Sequence, residues 1–252
     1  MIDSIIFDID GVIIDVTESY RKAIRQTAEE FTGKKVSEKE VSAIKKIKGF
    51  NNDWDAAYAL VCLIEKNVSS EKFSEKIRPL TEKDRKSRKY CELFKIFQAK
   101  YLGEKLYRET YGKEPVLKEK GLIKKEKLMI PKKIFRKLKK EFKLGIVTGR
   151  PRKEAEYALA VNSLQKFFDF RKIVCMEDTK KGKPNPKPLF LAAKNLDSIQ
   201  AIYIGDSIND VLAAKKAGMK SVYLGEEKLG DYTIKKIENL LEGIKWLKSE
   251  KQ

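Results

Sequence analysis

The chain has 252 residues, 42% hydrophobic and 37% charged, with a formal net charge of +18, a balance that suits a folded globular protein and excludes a disordered one. No apolar run approaches the ~20 residues of a membrane span, and Asp3, Asp8 and Asp10 interrupt the apolar stretch near the N-terminus, so no signal peptide is expected and the protein reads as cytoplasmic. Histidine is absent, which removes the usual general base and metal ligand, and three scattered cysteines (Cys62, Cys91, Cys175) make neither a disulfide framework nor a zinc site.

In chain order, Ser4 to Phe7 (SIIF) is an unbroken apolar run of the kind found in buried parallel strands. Residues 16–125 then carry helical patterns at 17–31, 37–47, 53–66 and 82–108, with no convincing strand. From there on, short apolar runs alternate with helices. A helix is predicted at 131–142 with Pro131 as its first residue, then strand LGIV (144–147), helix 151–161, strand IVC (173–175) and helix 185–196. Strand AIYI (201–204), a helix over 209–218 closed by Gly218 and strand SVYL (221–224) complete the series. This alternation predicts an α/β fold: a Rossmann-like, doubly wound parallel sheet core formed by 1–15 and 126–252. An all-helical domain, 16–125, is inserted after the first strand and is expected above the carboxyl ends of the strands.

Polar residues follow each predicted strand. Asp8 and Asp10 follow SIIF; Thr148, Gly149 and Arg150 follow LGIV; Glu177 and Asp178 follow IVC and lead to Lys183; Asp206, Ser207 and Asp210 follow AIYI. In a parallel α/β sheet those ends share the edge where ligands bind. Asp8, Asp10 and Asp206 repel one another unless a cation neutralises them, and a few carboxylates that leave room for water suit Mg²⁺. An ionised Asp8 can act as a nucleophile toward phosphorus. Asp10, two residues on and on the same side of the strand, is placed to protonate the leaving oxygen and later to activate water. Lys183 and Thr148 supply positive charge and a hydroxyl to the phosphate, with backbone N–H groups near Gly149 adding to that field.

Asp8-Ile-Asp10-Gly11-Val12, Val147-Thr148-Gly149, Lys183-Pro184-Asn185-Pro186 and Gly205-Asp206-Ser207-Ile208-Asn209-Asp210 together resemble the four ordered motifs of the haloacid dehalogenase-like superfamily, phosphatase type, and the insertion resembles its helical type I cap. The resemblance implies Asp8 as nucleophile and Asp10 as acid/base. It implies Mg²⁺ held by Asp8, Asp206 and the backbone carbonyl of Asp10, phosphate contacts from Thr148, Gly149 and Lys183, and Asp210 bonding the waters around the metal. The superfamily's dehalogenases lack the second aspartate, so Asp10 argues for phosphoryl transfer. The expected activity is Mg²⁺-dependent hydrolysis of a small phosphorylated metabolite, a phosphate monoester. Alternatives are a phosphomutase on the same scaffold or a nucleic-acid-binding, end-processing protein.

Specificity is expected to lie in the helical insertion. In KGFNNDWD (48–55), Asn51 and Asn52 are candidate substrate residues, against a plainer reading as a helix cap with Phe50 packed on Trp54. Tyr20 and Arg21 have the same two readings. Arg150 departs from the asparagine or serine that many relatives carry: it reaches a second anionic group on the substrate or, more simply, pairs with an acidic neighbour. Residues 71–143 hold 25 Lys/Arg against 11 Asp/Glu, which suits a polyanionic ligand or a Lys/Glu-rich thermophile surface. Asp15 with Glu18 matches a helix capping pair and is given no chemistry. The oligomeric state is left open.

Overall fold

A computed structural model describes residues 2–50 and 52–249, which fall into two compact units, Met1–Asp15 with Lys127–Gln252, and Val16–Glu126. The first unit begins with β1 (Ser4–Phe7) and a two-residue β2 (Ile14–Asp15). The second unit is helical: α1 (Tyr20–Thr32), α2 (Glu38–Lys46), α3 (Asp53–Glu65), the single turns α4 (Phe73–Lys76) and α5 (Glu82–Arg85), and α6 (Arg88–Tyr111), broken at Gly103. The first unit resumes with β3 (Lys127–Leu128), α7 (Lys132–Leu138), β4 (Lys143–Ile146), α8 (Arg152–Val161) and α9 (Lys187–Asn195). It ends with β5 (Ala201–Gly205), α10 (Ile208–Lys216), β6 (Lys220–Leu224), β7 (Tyr232–Ile234) and α11 (Leu240–Ser249). No described helix is long and apolar enough to cross a membrane.

The main sheet is all parallel in the order β4-β1-β5-β6-β7, the Rossmann-like, doubly wound arrangement. Its register is even across the middle: Phe7 stands beside Ile146 and Ile204, so β1, β4 and β5 end level. Both faces are covered, which is why these strands read as unbroken apolar runs. On one face Phe7 meets Phe135 and Phe168 edge-on at 5.7 and 5.9 Å. On the other, Ile6 and Tyr203 pack with Leu189, Ala192 and Ala213. Each large apolar side chain so buried contributes about 1.5–3 kcal/mol.

Some expectations need correction. IVC (173–175) forms no strand. Val174 makes a single bridge to Val147, giving its N–H to Ile146 and accepting from Thr148. The chain then turns at once, because the Asp178 carboxylate takes the Cys175 N–H. Pro131 precedes α7 rather than opening it. The capping pair Asp15–Glu18 does not form: α1 starts at Tyr20 after Ser19, while Asp15 lies in β2 opposite Lys127 of β3.

In the helical unit, Asn52 is the N-cap of α3, accepting the Asp55 N–H at 3.0 Å. Asn51 lies outside the described residues. Trp54 packs edge-on against Phe94 of α6 rather than on Phe50. Tyr20 is buried and stacks on Tyr101 at 4.3 Å, and Arg21 reaches Ser42. Asp55 is buried and holds both Arg85 and the Tyr90 hydroxyl, tying α5 and α6 to α3.

Candidate active site

Because β1, β4 and β5 end level, their next residues converge. Asp8 continues β1, giving its N–H to Ile204. Its carboxylate takes the Ile9 N–H on Oδ1 at 2.8 Å and the Lys183 ammonium on Oδ2 at 2.9 Å. Lys183 comes from the loop between α8 and α9 and is equally tied to the end of β5: its Nζ lies 2.6 Å from Asp210 Oδ1 and donates to Tyr203 Oη at 2.9 Å. Asp210 belongs to the first turn of α10. Its Oδ2 accepts from the Ser207 N–H at 3.0 Å and hydroxyl at 2.5 Å, and Ser207 caps the helix in return. The Tyr203 hydroxyl, fully buried, lies 3.1 Å from Asp210 Oδ1 and 3.4 Å from the Val147 carbonyl.

Two glycines make the approach possible. Gly11 has φ +70°, and a Cβ there would stand 1.9 Å from Asp206 Oδ2. A Cβ on Gly205 would meet the Asp210 Cβ at 2.2 Å. Asp206 and Asp210 therefore reach the site only where no side chain stands in their way.

Carboxylate oxygens of Asp8, Asp206 and Asp210 lie within 4.8 Å of one another. Burial pushes the Asp8 carboxyl well up, and Asp210, Asp10 and Asp206 push the same way against the pull of Lys183. Burial, then Asp210, pushes Asp206 up to about 7. Burial opposes the charge on Lys183, but Asp210 and Asp8 outweigh it and hold its value well above the ordinary one. One ammonium among three close carboxylates leaves negative charge uncompensated. The donors are all oxygen, so the cluster fits a hard divalent cation.

Asp10 stands apart from that cluster. Arg150 closes on its Oδ1, with Nε at 2.7 Å and one terminal nitrogen at 2.5 Å. Arg150 is 1% exposed. This is the pairing with an acidic neighbour, one of the two readings of Arg150. Thr148 is buried, with its Oγ accepting the Arg150 N–H at 3.1 Å; Gly149 is exposed beside it.

Sequence reading named these residues at the strand ends, with three differences. Glu177 and Asp178 are not part of the site: Glu177 accepts the Arg152 N–H at the start of α8, and Asp178 holds the Arg152 guanidinium. Asp210, expected to bond metal waters, has both oxygens on protein donors. Tyr203 was missed. Its signal was a single hydroxyl inside the otherwise aliphatic run AIYI, three positions before Asp206, which the fold puts beside Lys183 and Asp210.

The haloacid dehalogenase-like hydrolase family profile matches residues 5–98 and 66–224. The chain is 30% identical over 221 residues to a Phytophthora nicotianae protein named imidazoleglycerol-phosphate dehydratase, covering 86% of this chain and 42% of that one. It is 29% identical over 224 residues to the putative pyrophosphatase PpaX of Caldanaerobacter subterraneus, covering 88% and 80%. Among solved structures it is similar to phosphatase Tt82 from Thermococcus thioreducens, with a TM-score of 0.72, 29% identity and coverage of 95% and 99%.

Proposed function

The chain belongs to the haloacid dehalogenase-like hydrolase family, and on that premise we propose that it is a Mg²⁺-dependent phosphatase. It hydrolyses a small organic phosphate monoester in the cytoplasm through an aspartyl-phosphate on Asp8. The observation that carries this reading is the contact of the buried Asp8 carboxylate with Lys183, at 2.9 Å, next to the acidic pair Asp206 and Asp210. A pyrophosphatase and a phosphatase among the relatives support it.

Asp8, Asp206 and the Asp10 carbonyl would hold the metal. Bound there, Mg²⁺ supplies the positive charge that keeps Asp8 ionised and offsets the phosphate dianion. The Asp8 carboxylate attacks phosphorus as the ester P–O bond breaks, and Asp10 gives its proton to the departing oxygen. Lys183, Thr148 Oγ and the Gly149 N–H take the charge on the phosphoryl oxygens. Water then attacks phosphorus and loses a proton to Asp10. The bond from phosphorus to Asp8 breaks, releasing inorganic phosphate and restoring both carboxyl groups. Asn51 and Asn52 of the helical unit are candidate substrate residues, with Asn52 keeping its capping bond.

The test is release of phosphate from p-nitrophenyl phosphate and a panel of phosphorylated metabolites, inorganic pyrophosphate included. Asp8→Asn is expected to abolish turnover while the melting temperature holds, and chelation is expected to stop the wild type. Turnover that survives either treatment overturns the mechanism. Transfer of phosphate to a sugar hydroxyl faster than its release to water would replace hydrolase with mutase.

A further inference from the structure

Among the described residues Arg150 is the largest side chain that is less than 2% exposed, and the reaction just described gives it nothing to do. The geometry points to Arg150 as a positioning residue that selects which oxygen of Asp10 carries the proton. This inference rests on the assignment of Asp10 as the acid/base group.

Two guanidinium contacts to Asp10, Nε at 2.7 Å and the terminal nitrogen at 2.5 Å, fall on the same atom, Oδ1. Oδ2 receives no hydrogen bond from any described residue. A fork that gripped both oxygens would put a charged donor on each of them. The grip seen here holds Oδ1 and leaves Oδ2 without a guanidinium contact. The Asp10 side chain is 32% exposed whereas Arg150 is 1% exposed, so the guanidinium is the anchored partner and the carboxylate the one that faces outward.

Arg150 is itself anchored at its backbone. Its N–H goes to Thr148 Oγ and its carbonyl accepts from Met176. The same turn therefore sets Thr148, which meets the phosphate, and Arg150, which sets the acid. Preorganisation of this kind accelerates a proton transfer without touching the substrate. The proton on Oδ2 passes to the ester oxygen as its bond to phosphorus breaks. In the second half-reaction Oδ2 takes a proton from the attacking water. Lysine in place of Arg150 offers a point charge without the planar grip.

The experiment compares phenyl phosphate with p-nitrophenyl phosphate, esters of nearly the same shape, of which only the first needs its leaving oxygen protonated. Arg150→Gln is expected to lower kcat/KM on phenyl phosphate by about 100-fold, the scale of general-acid catalysis. On p-nitrophenyl phosphate the loss is expected to stay under about fivefold, with KM within about twofold on both esters. Arg150→Lys should lie between, and it carries the test if the glutamine variant unfolds. Asp10→Asn should show the same preference, and the double variant should be no slower than Asp10→Asn alone. Equal losses on the two esters, additive losses in the double variant, or a rise in KM with kcat unchanged overturns the inference. Asp8→Asn is run alongside: turnover that persists there defeats the mechanism itself, whereas abolished turnover with no leaving-group bias defeats only the role of Arg150.

Discussion

Tyr203→Phe removes one oxygen from the interior of the sheet unit, and the structure sets the size of the effect. The Lys183 ammonium has three protons and three acceptors: Asp8 Oδ2 at 2.9 Å, Asp210 Oδ1 at 2.6 Å and Tyr203 Oη at 2.9 Å. With the lysine side chain only 10% exposed, deleting the hydroxyl leaves one charged donor without a partner in the protein. Losing a hydrogen bond to a charged group in such surroundings costs about 1.5–3 kcal/mol. The ring keeps its packing against Ile6 and Leu189, so no cavity larger than the oxygen itself is added. At roughly 2–4 °C per kcal/mol for a chain of this size, the melting temperature should fall by about 3–12 °C. Two compact units need not melt together, so the reporter must belong to the right one. Of the two tryptophans, Trp246 lies in the sheet unit and Trp54 in the helical unit. In a Trp54→Phe background, fluorescence follows the sheet unit alone. A cycle with Lys183→Met should return a coupling of about 1–3 kcal/mol between the two positions. A shift under about 1 °C, or zero coupling, refutes the claim that the hydroxyl completes the lysine's shell.

Three further outcomes are expected. Gly11→Ala places a methyl group 1.9 Å from Asp206 Oδ2 at a φ of +70°; it should cost about 1–2 kcal/mol for the backbone alone and weaken Mg²⁺ binding at least tenfold by calorimetry, whereas unchanged affinity would show that Asp206 does not need that gap. Asp206 is raised from 3.8 to about 7, so the folded state keeps a proton that the unfolded chain has already lost. Stability of the metal-free sheet unit should therefore decline as pH rises from about 4 through about 7. Mg²⁺ affinity should climb over the same range and level off above it, and an affinity constant from pH 5.5 to 8 contradicts this. Asp55→Asn breaks the buried contacts to Arg85 and Tyr90 and should destabilise the helical unit by about 2–4 kcal/mol, read from Trp54 in a Trp246→Phe background, with Trp246-reported melting of the sheet unit unmoved in the reciprocal background.

The parts of the fold that were legible are those whose local chemistry and tertiary position agree. β1 and β5 are buried on both faces and read as apolar runs; α2 carries its own capping box at Ser37 and Glu40. The misreadings fall where one residue of an apolar triplet does the pairing. Ile173 and Cys175 are as buried as Val174, but only Val174 reaches β4, so burial without a ladder resembled a strand. β7 went unseen for the opposite reason: Tyr232 and Thr233 are only partly buried at the sheet edge, and DYTIKK offers no apolar run. Asp15 shows a motif overruled. Its spacing to Glu18 suits a helix start, but the chain is held straight there by pairing with Lys127, a partner 112 positions away.

The site divides along the same line. Asp8, Asp10, Thr148 and Asp206 could be named because each lies within three residues of a strand end, and a parallel sheet brings such positions together whatever else the chain does. What each side chain touches does not follow from that rule. Tyr203 sits opposite Ile6, three positions before Asp206. Only the register across β5, together with the return of the Lys183 loop, puts its hydroxyl between Lys183 and Asp210. Arg150 and Asp10 are 140 residues apart, and nothing local to either distinguishes an arginine that meets substrate from one that grips an aspartate. Motif spacing identifies the groups that react; the packing around them determines which of their atoms are left to do so. In this protein the second kind of information separates Oδ1 of Asp10, which Arg150 holds, from Oδ2.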